Sequence, residues 1–167
     1  VNKVDLGLLV DVSGSMDGEQ QAVRDSIDAV ADKIEAANIN LKLGVAEMGD
    51  ASFSAIYADA IDGTDRTADL SEPASTEFQN AVAALSANGA YVDPYASLLE
   101  VSGIDDRTGD NDPDAFSWRA DSVSRMIVLI TDTGDETNVQ AHIEGHSETE
   151  TATKLANEGI DVHVIGN

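Results

Sequence analysis

Cysteine is absent from the 167 residues. Disulfide staples and thiol chemistry are therefore excluded, and stability has to come from a packed core. Aromatics make up only 4 % of the chain, so that core is expected to be built from Val, Ile, Leu and Ala. Basic residues are scarce as well: nine against 32 acidic ones, a net charge of −23 at pH 7, with lysine only at Lys3, Lys33, Lys42 and Lys154. A surface of that sign repels nucleic acid and anionic lipid, which excludes both as partners. No stretch is long and apolar enough to span a bilayer, no signal peptide precedes the first strand, and no Asn-x-Ser/Thr acceptor occurs.

What is present is a hydrophobic fraction of 42 % in a length that suits one domain with one core. The acids are spread along the whole chain rather than gathered in a disordered tail. Such a surface suits a salt-loving organism, because in molar salt the Debye length falls to about 3 Å and dense like charge costs little. It equally suits a calcium-rich extracellular setting. The chain opens directly on a strand, so it is expected to be excised from something longer.

Val4–Val10 is a short apolar run ending in Asp11, the pattern of a strand buried on both faces of a parallel sheet. A Gly/Ser turn follows, then a helix over Glu19–Ala37 whose Val23, Ile27, Val30 and Ile34 share one face. Leu41–Glu47 reads as a second strand and Ala55–Ile61 as its hairpin partner. Ser75–Ala87 is expected to be helical with Ser75 as N-cap, and Pro94–Val101 to be a short helix with Pro in its first turn. Met126–Thr131 is the most strand-like run of all. A helix over Ser147–Asn157 stops at Gly159, and Ile160–Ile165 closes the sheet. Alternating strands and helices predict an α/β, Rossmann-like, doubly wound fold, with a mostly parallel central sheet flanked by helices and one antiparallel edge strand. The long Asp-rich segment Gly103–Asp121 is expected to be functional, as loops of that length in compact domains tend to be.

Ligands of open α/β sheets bind beyond the carboxyl ends of the strands. Two strands here end in oxygen-rich turns, Asp11-Val12-Ser13-Gly14-Ser15 and Thr131-Asp132-Thr133-Gly134-Asp135. In a loop, residues i, i+2 and i+4 converge on one point, which is the spacing of Asp11, Ser13 and Ser15. Hydroxyls and carboxylates are the donors a hard cation prefers, Mg²⁺ or Ca²⁺, with Mn²⁺ also admissible. Two hydroxyls with one or two carboxylates leave such a cation under-neutralised and able to recruit a carboxylate from a partner. The competing role for Ser13 and Ser15 is turn formation and helix capping.

Asp11-Val12-Ser13-Gly14-Ser15-Met16 resembles the DxSxS motif of the metal-ion-dependent adhesion site in von Willebrand factor A domains, in the place that family has it, after the first strand. Ile130-Thr131-Asp132 resembles the family's later strand-end aspartate, and the stretch from Trp118-Arg119 to Asp132 is similar to integrin β-subunit I-like domains and their prokaryotic relatives. The resemblance covers nearly all of the chain. It implies that residues 1–167 form a single A-type domain and that Asp11, Ser13, Ser15 and Asp132 hold the metal, the serines directly and the aspartates through water. It implies a non-enzymatic adhesion or assembly module, extracellular or on the cell surface, whose protein ligand completes the coordination with an Asp or Glu carboxylate. Two departures stand out. The family's Thr or Glu ligand from a middle loop falls at Val92, which cannot coordinate, so Asp93 is taken as the substitute. The family's last strand and helix are missing after Ile165. A second calcium site, as in integrin β domains, would use Asp17 and Glu19, for which the competing role is to favour the helix dipole. Asp110, Asp112 and Asp114 alternate like a calcium loop but lack its Gly and its bidentate Glu, so a solvated loop is the simpler account. His142, Glu144 and His146 do not have zinc spacing.

Two other functions compete. A structural domain of a surface protein would be braced by the metal without an open coordination position. A metal-dependent phosphohydrolase would use Asp11 as nucleophile, but no paired base or Gly-rich phosphate loop with Lys accompanies it.

Overall fold

The structure, a computed structural model, describes residues 2–48, 64–85, 94–104, 115–121, 124–132 and 147–166. Its elements follow the order β1 (Asn2–Asp11), α1 (Asp17–Ala36), β2 (Ile39–Met48), β3 (Thr64–Ser71), α2 (Thr76–Ala84), α3 (Pro94–Ser102), β4 (Ser124–Ile130), α4 (Glu148–Asn157) and β5 (Ile160–Ile165). They form one sheet of order β3-β2-β1-β4-β5, parallel throughout except where β2 meets β3. This is the expected α/β architecture. The antiparallel partner of β2 is Thr64–Ser71; the range 55–61, where the sequence suggests that strand, lies outside the described residues.

Period-2 alternation in β1 divides the core between the two faces of the sheet. Leu6, Leu8 and Val10 point into one apolar layer with Leu41, Leu43 and Val45 of β2, closed by Ile27 of α1 and Phe78, Ala81 and Val82 of α2. Leu9 points the other way, into a layer with Ile127 and Leu129 of β4, closed by Leu98 and Val101 of α3, Leu155 of α4 and Phe116. Helices on both faces are what bury these strands completely. On α1 the apolar stripe is covered unevenly: Ile27 is buried, whereas Val30 on the same expected face is 43 % exposed.

The helix ends follow local chemistry. Ser75 and Ser147 are extended N-caps whose side chains accept from the N–H of Phe78 and Glu150. Asn38 and Gly159 take positive φ, 57° and 68°, where α1 and α4 stop.

The end of the long Asp-rich segment is structural rather than an open binding loop. Phe116 is 3 % exposed, and Trp118 packs edge-on against it with ring centroids 5.5 Å apart. Arg119 reaches the fully buried Asp5 of β1, its Nε donating to Oδ1 at 2.5 Å and its main-chain N–H to Oδ2 at 2.7 Å. Asp69 of β3 accepts from the N–H groups of Ser117 at 2.8 Å and Leu70 at 2.7 Å, with the Arg66 guanidinium 3.2 Å away. Burial pushes the Asp69 carboxyl up, but the hydrogen bonds from Ser117 and Leu70 and the charge of Arg66 outweigh it and hold the pKa below its ordinary value.

A carboxyl depressed in the folded state stabilises fully above its unfolded pKa, about 3.9, and that contribution is lost as the pH falls through the lower folded value. Asp69→Asn should therefore lower the urea midpoint at pH 6 and approach the wild type below about pH 4. Urea unfolding in molar KCl across that range checks it. A gap between the two proteins that does not change with pH would show that Asp69 contributes no charged-state stability.

Candidate metal centre

The strand order places a topological switch between β1 and β4, because the chain leaves β1 for β2 on one side and returns to β4 on the other. The crevice beyond the carboxyl ends of those two strands is where open α/β sheets bind ligands. Val10 pairs with Ile130 there, so Asp11 and Thr131 leave the sheet side by side and the turns 11–15 and 131–132 meet at one edge.

The 11–16 loop is held from every side. The Val12 N–H donates to the Met48 carbonyl at the end of β2, at 2.9 Å. The Met16 N–H closes a turn onto the Ser13 carbonyl at 3.1 Å, and the Met16 side chain is completely buried beneath it. Gln20, buried in the first turn of α1, donates its Nε2 to the Asp11 carbonyl at 3.0 Å, and its Oε1 has no partner among the described residues. The Asp11 carboxylate is itself fully buried and has both oxygens engaged: Oδ1 accepts from the Ser13 N–H and Oδ2 from the Thr131 hydroxyl, each at 2.7 Å.

In the same loop are the hydroxyls of Ser13, partly exposed, and Ser15, exposed, with their Oγ atoms 3.3 Å apart. Two adjacent oxygens of an octahedral ion are separated by about 3.0 Å around Mg²⁺ and by about 3.3–3.7 Å around Ca²⁺. The hydroxyl pair has the spacing of one edge of such a shell. Asp132 follows Thr131 at the same rim and is partly exposed.

The two buried aspartates of β1 differ in what offsets their charge. Asp5 has the Arg119 guanidinium. Asp11 has hydrogen bonds from neutral donors alone and no cationic side chain among the described residues. A buried carboxylate without a cation is costly. Asp11 is thus the position at which a metal ion would supply missing positive charge, and the oxygen donors around it suit a hard divalent cation.

The remaining sequence candidates fall elsewhere. Asp17 and Glu19 lie in the first turn of α1, exposed and partly exposed, where acidic charge favours the helix dipole. Among the described residues no three His, Cys, Asp or Glu side chains gather into a metal site, so the candidate centre rests on hydroxyls as much as on carboxylates. Val92, Asp93, Asp110, Asp112 and Asp114 lie outside the described residues, as do His142, Glu144 and His146. Sequence reading assigned no role to Thr131 or Gln20. Thr131 stood within the quoted turn, and its place directly after a buried strand was the signal. Gln20 gave a weaker one, a polar residue on the helix side that meets the sheet.

A groove of about 680 Å³ lies between α3, α4 and β5, floored by Leu98, Leu155 and Val162, and runs from the exposed Val164 to Thr131. Its lining is mainly apolar and offers a cation little.

No family model and no curated protein matches the chain. Solved structures do. The pilus adhesin SpaC from Lactobacillus rhamnosus GG superposes with a TM-score of 0.62 at 16 % identity, over 99 % of this chain and 25 % of that one. Proximal thread matrix protein 1 from the mussel byssus, in a form with a zinc-occupied MIDAS motif, gives 0.62 at 14 % identity, over 99 % of this chain and 36 % of that one. At these identities the likeness establishes the fold. This chain spans roughly a quarter to a third of the length of those proteins. They are an adhesin and a matrix protein rather than enzymes.

Proposed function

We propose that this chain is a von Willebrand A-type domain that binds one divalent cation at Asp11, Ser13, Ser15 and Asp132 and uses it to hold a protein ligand. The observation that carries this reading is the buried carboxylate of Asp11, with no cationic side chain on it among the described residues, in the same loop as two hydroxyls 3.3 Å apart. Ser13 and Ser15 bind the ion directly. Asp11 and Asp132 act through water, since both Asp11 oxygens are already acceptors within the protein. Neutral hydroxyl donors leave the ion most of its charge, and when bound it supplies an electrophilic position for an Asp or Glu carboxylate of the partner. Asp93 completes the protein's share in place of the residue that Val92 cannot provide. Mg²⁺ or Ca²⁺ is the expected ion, with Mn²⁺ a substitute; the zinc in the mussel protein's motif is a finding about that protein. The adhesin and matrix neighbours support a non-enzymatic role, outside the cell or on its surface.

The test is calorimetric titration of Mg²⁺, Ca²⁺ and Mn²⁺ into chelator-stripped protein in molar KCl. Wild type should bind one ion at this site, and Ser13→Ala/Ser15→Ala should lose it. An acidic peptide should then bind the metal-loaded wild type and be released by chelator. Equal cation binding by both proteins would place the ions elsewhere on the acidic surface and end this reading.

A further inference from the structure

Thr131 joins three strands at the proposed site. Its hydroxyl donates to Asp11 Oδ2 of β1 at 2.7 Å, its N–H donates to the Ile165 carbonyl of β5 at 3.0 Å, and it continues β4 directly. The residue is 5 % exposed, and even a methyl group at Gly166 would overlap the Thr131 carbonyl oxygen. The side chain is therefore held where it stands. The Asp11 carboxylate is held by two donors, the Ser13 N–H on Oδ1 and the Thr131 hydroxyl on Oδ2. A carboxylate on β1 can turn about its χ torsions unless both oxygens are engaged, and one of its two donors is the Thr131 hydroxyl.

From this geometry we infer that Thr131 is a positioning residue: its hydroxyl fixes the Asp11 carboxylate in the orientation from which it accepts from the water shell of the cation. The inference rests on the reading of the Asp11–Ser13–Ser15 loop as the cation site. Each carboxylate oxygen offers more than one acceptor direction, so accepting from Thr131 leaves Oδ2 able to accept from a metal-bound water as well. Gln20 works in the same sense on the main chain. Its amide holds the Asp11 carbonyl while its own Oε1 is buried without a partner among the described residues. A buried orphan acceptor is unfavourable and needs a reason to be kept, and anchoring Asp11 provides one.

The test compares wild type, Thr131→Val, Thr131→Ser and Ser13→Ala/Ser15→Ala by calorimetric titration with Mg²⁺ and Ca²⁺ in molar KCl. Urea unfolding of each variant in chelator establishes that it is folded. Valine keeps the shape of threonine and removes the hydroxyl; serine keeps the hydroxyl and removes the methyl. Residues that orient metal ligands usually contribute 10- to 100-fold to affinity. Thr131→Val is expected to weaken cation binding by about that factor, with Thr131→Ser within about threefold of wild type. Thr131→Val binding within threefold of wild type, or Thr131→Ser falling as far as Thr131→Val, overturns the inference while Ser13→Ala/Ser15→Ala still reports on the site. If the double serine variant also binds like wild type, the site itself is wrong and the role of Thr131 falls with it.

Discussion

Arg119→Met should unfold in urea with a loss of about 3–5 kcal/mol, a large share of the stability of a domain of this size. Asp5 is completely buried, and the guanidinium that neutralises it also bonds the carbonyls of Val4 at 2.8 Å and Asn40 at 3.0 Å and the side chain of Asn40. Methionine keeps much of the apolar stem and removes every one of those donors. The main-chain N–H of Arg119 still reaches Asp5 Oδ2, but the buried charge loses the guanidinium that lies against it. Arg119→Lys should recover little, because a single ammonium cannot reproduce a planar fork that serves a carboxylate and two carbonyls at once. Molar salt will not hide the effect, since buried pairs are screened far less than exposed ones. The double variant Asp5→Leu/Arg119→Met distinguishes a charge effect from a packing effect. Replacing both partners by apolar side chains removes the uncompensated charge and should restore most of the loss. A double variant as unstable as Arg119→Met would mean that Arg119 acts through packing and its bonds to the carbonyls alone. Cation binding should survive in whatever remains folded, because Asp5 and Asp11 lie about 20 Å apart along β1 at the strand rise of roughly 3.3 Å per residue.

That pair illustrates what could be read from the sequence and what could not. β1 and β4 announce themselves as apolar runs because strands buried on both faces have no polar side to show. Ser75, Pro94 and Gly159 mark helix ends through local hydrogen bonding and backbone preference, which need no tertiary information. β3 went unread in the sequence for the opposite reason. Thr64–Ser71 is a polar edge strand in which Ala68 and Leu70 are the only apolar residues, so no hydrophobic run signals it. Asp11, Ser13 and Ser15 were legible as candidates because their oxygens alternate within one turn after a strand, and Asp132 because it ends another. The groups that hold them were not. Thr131 lies 120 residues from Asp11, and its hydroxyl acquires a role only when the sheet order sets β4 beside β1. Of the Gly103–Asp121 segment, the structure describes the two ends and not residues 105–114. Its length suggested a functional loop, and its last residues bring Phe116, Ser117 and Arg119 back to the sheet as a brace, contacts between distant residues that no local pattern announces.

Phe116 is also where the second large effect should appear. Gly7 of β1 and Gly44 of β2 are directly paired across the sheet, and together they leave a smooth channel in which the Phe116 ring lies. A methyl group at Gly7 would overlap ring atom Cε2 and come within 2.7 Å of Cδ2; one at Gly44 would meet Cε1 at 2.7 Å. Neither strand can yield, since both are central and paired on each side. The ring cannot yield either without uncovering Leu9 and Leu129 and the Trp118 edge. An alanine in a strand would ordinarily be favoured over glycine by about 0.5–1 kcal/mol. Here Gly7→Ala should instead destabilise by about 3 kcal/mol, the upper range for overpacking a well-filled core. Phe116→Leu alone should also destabilise, by leaving part of the channel empty. In combination the two changes relieve each other: leucine vacates the space that the new methyl takes. The double variant should therefore cost less than the sum of the singles by more than 1 kcal/mol, well beyond the roughly 0.5 kcal/mol scatter of independent sites. Additive losses would mean that the glycines serve the strands themselves and not the ring. Coupling of the expected sign would identify the Gly7–Gly44 channel as the seat that docks the 115–121 segment onto the sheet, leaving the opposite ends of β1 and β4 free to present Asp11, Thr131 and Asp132.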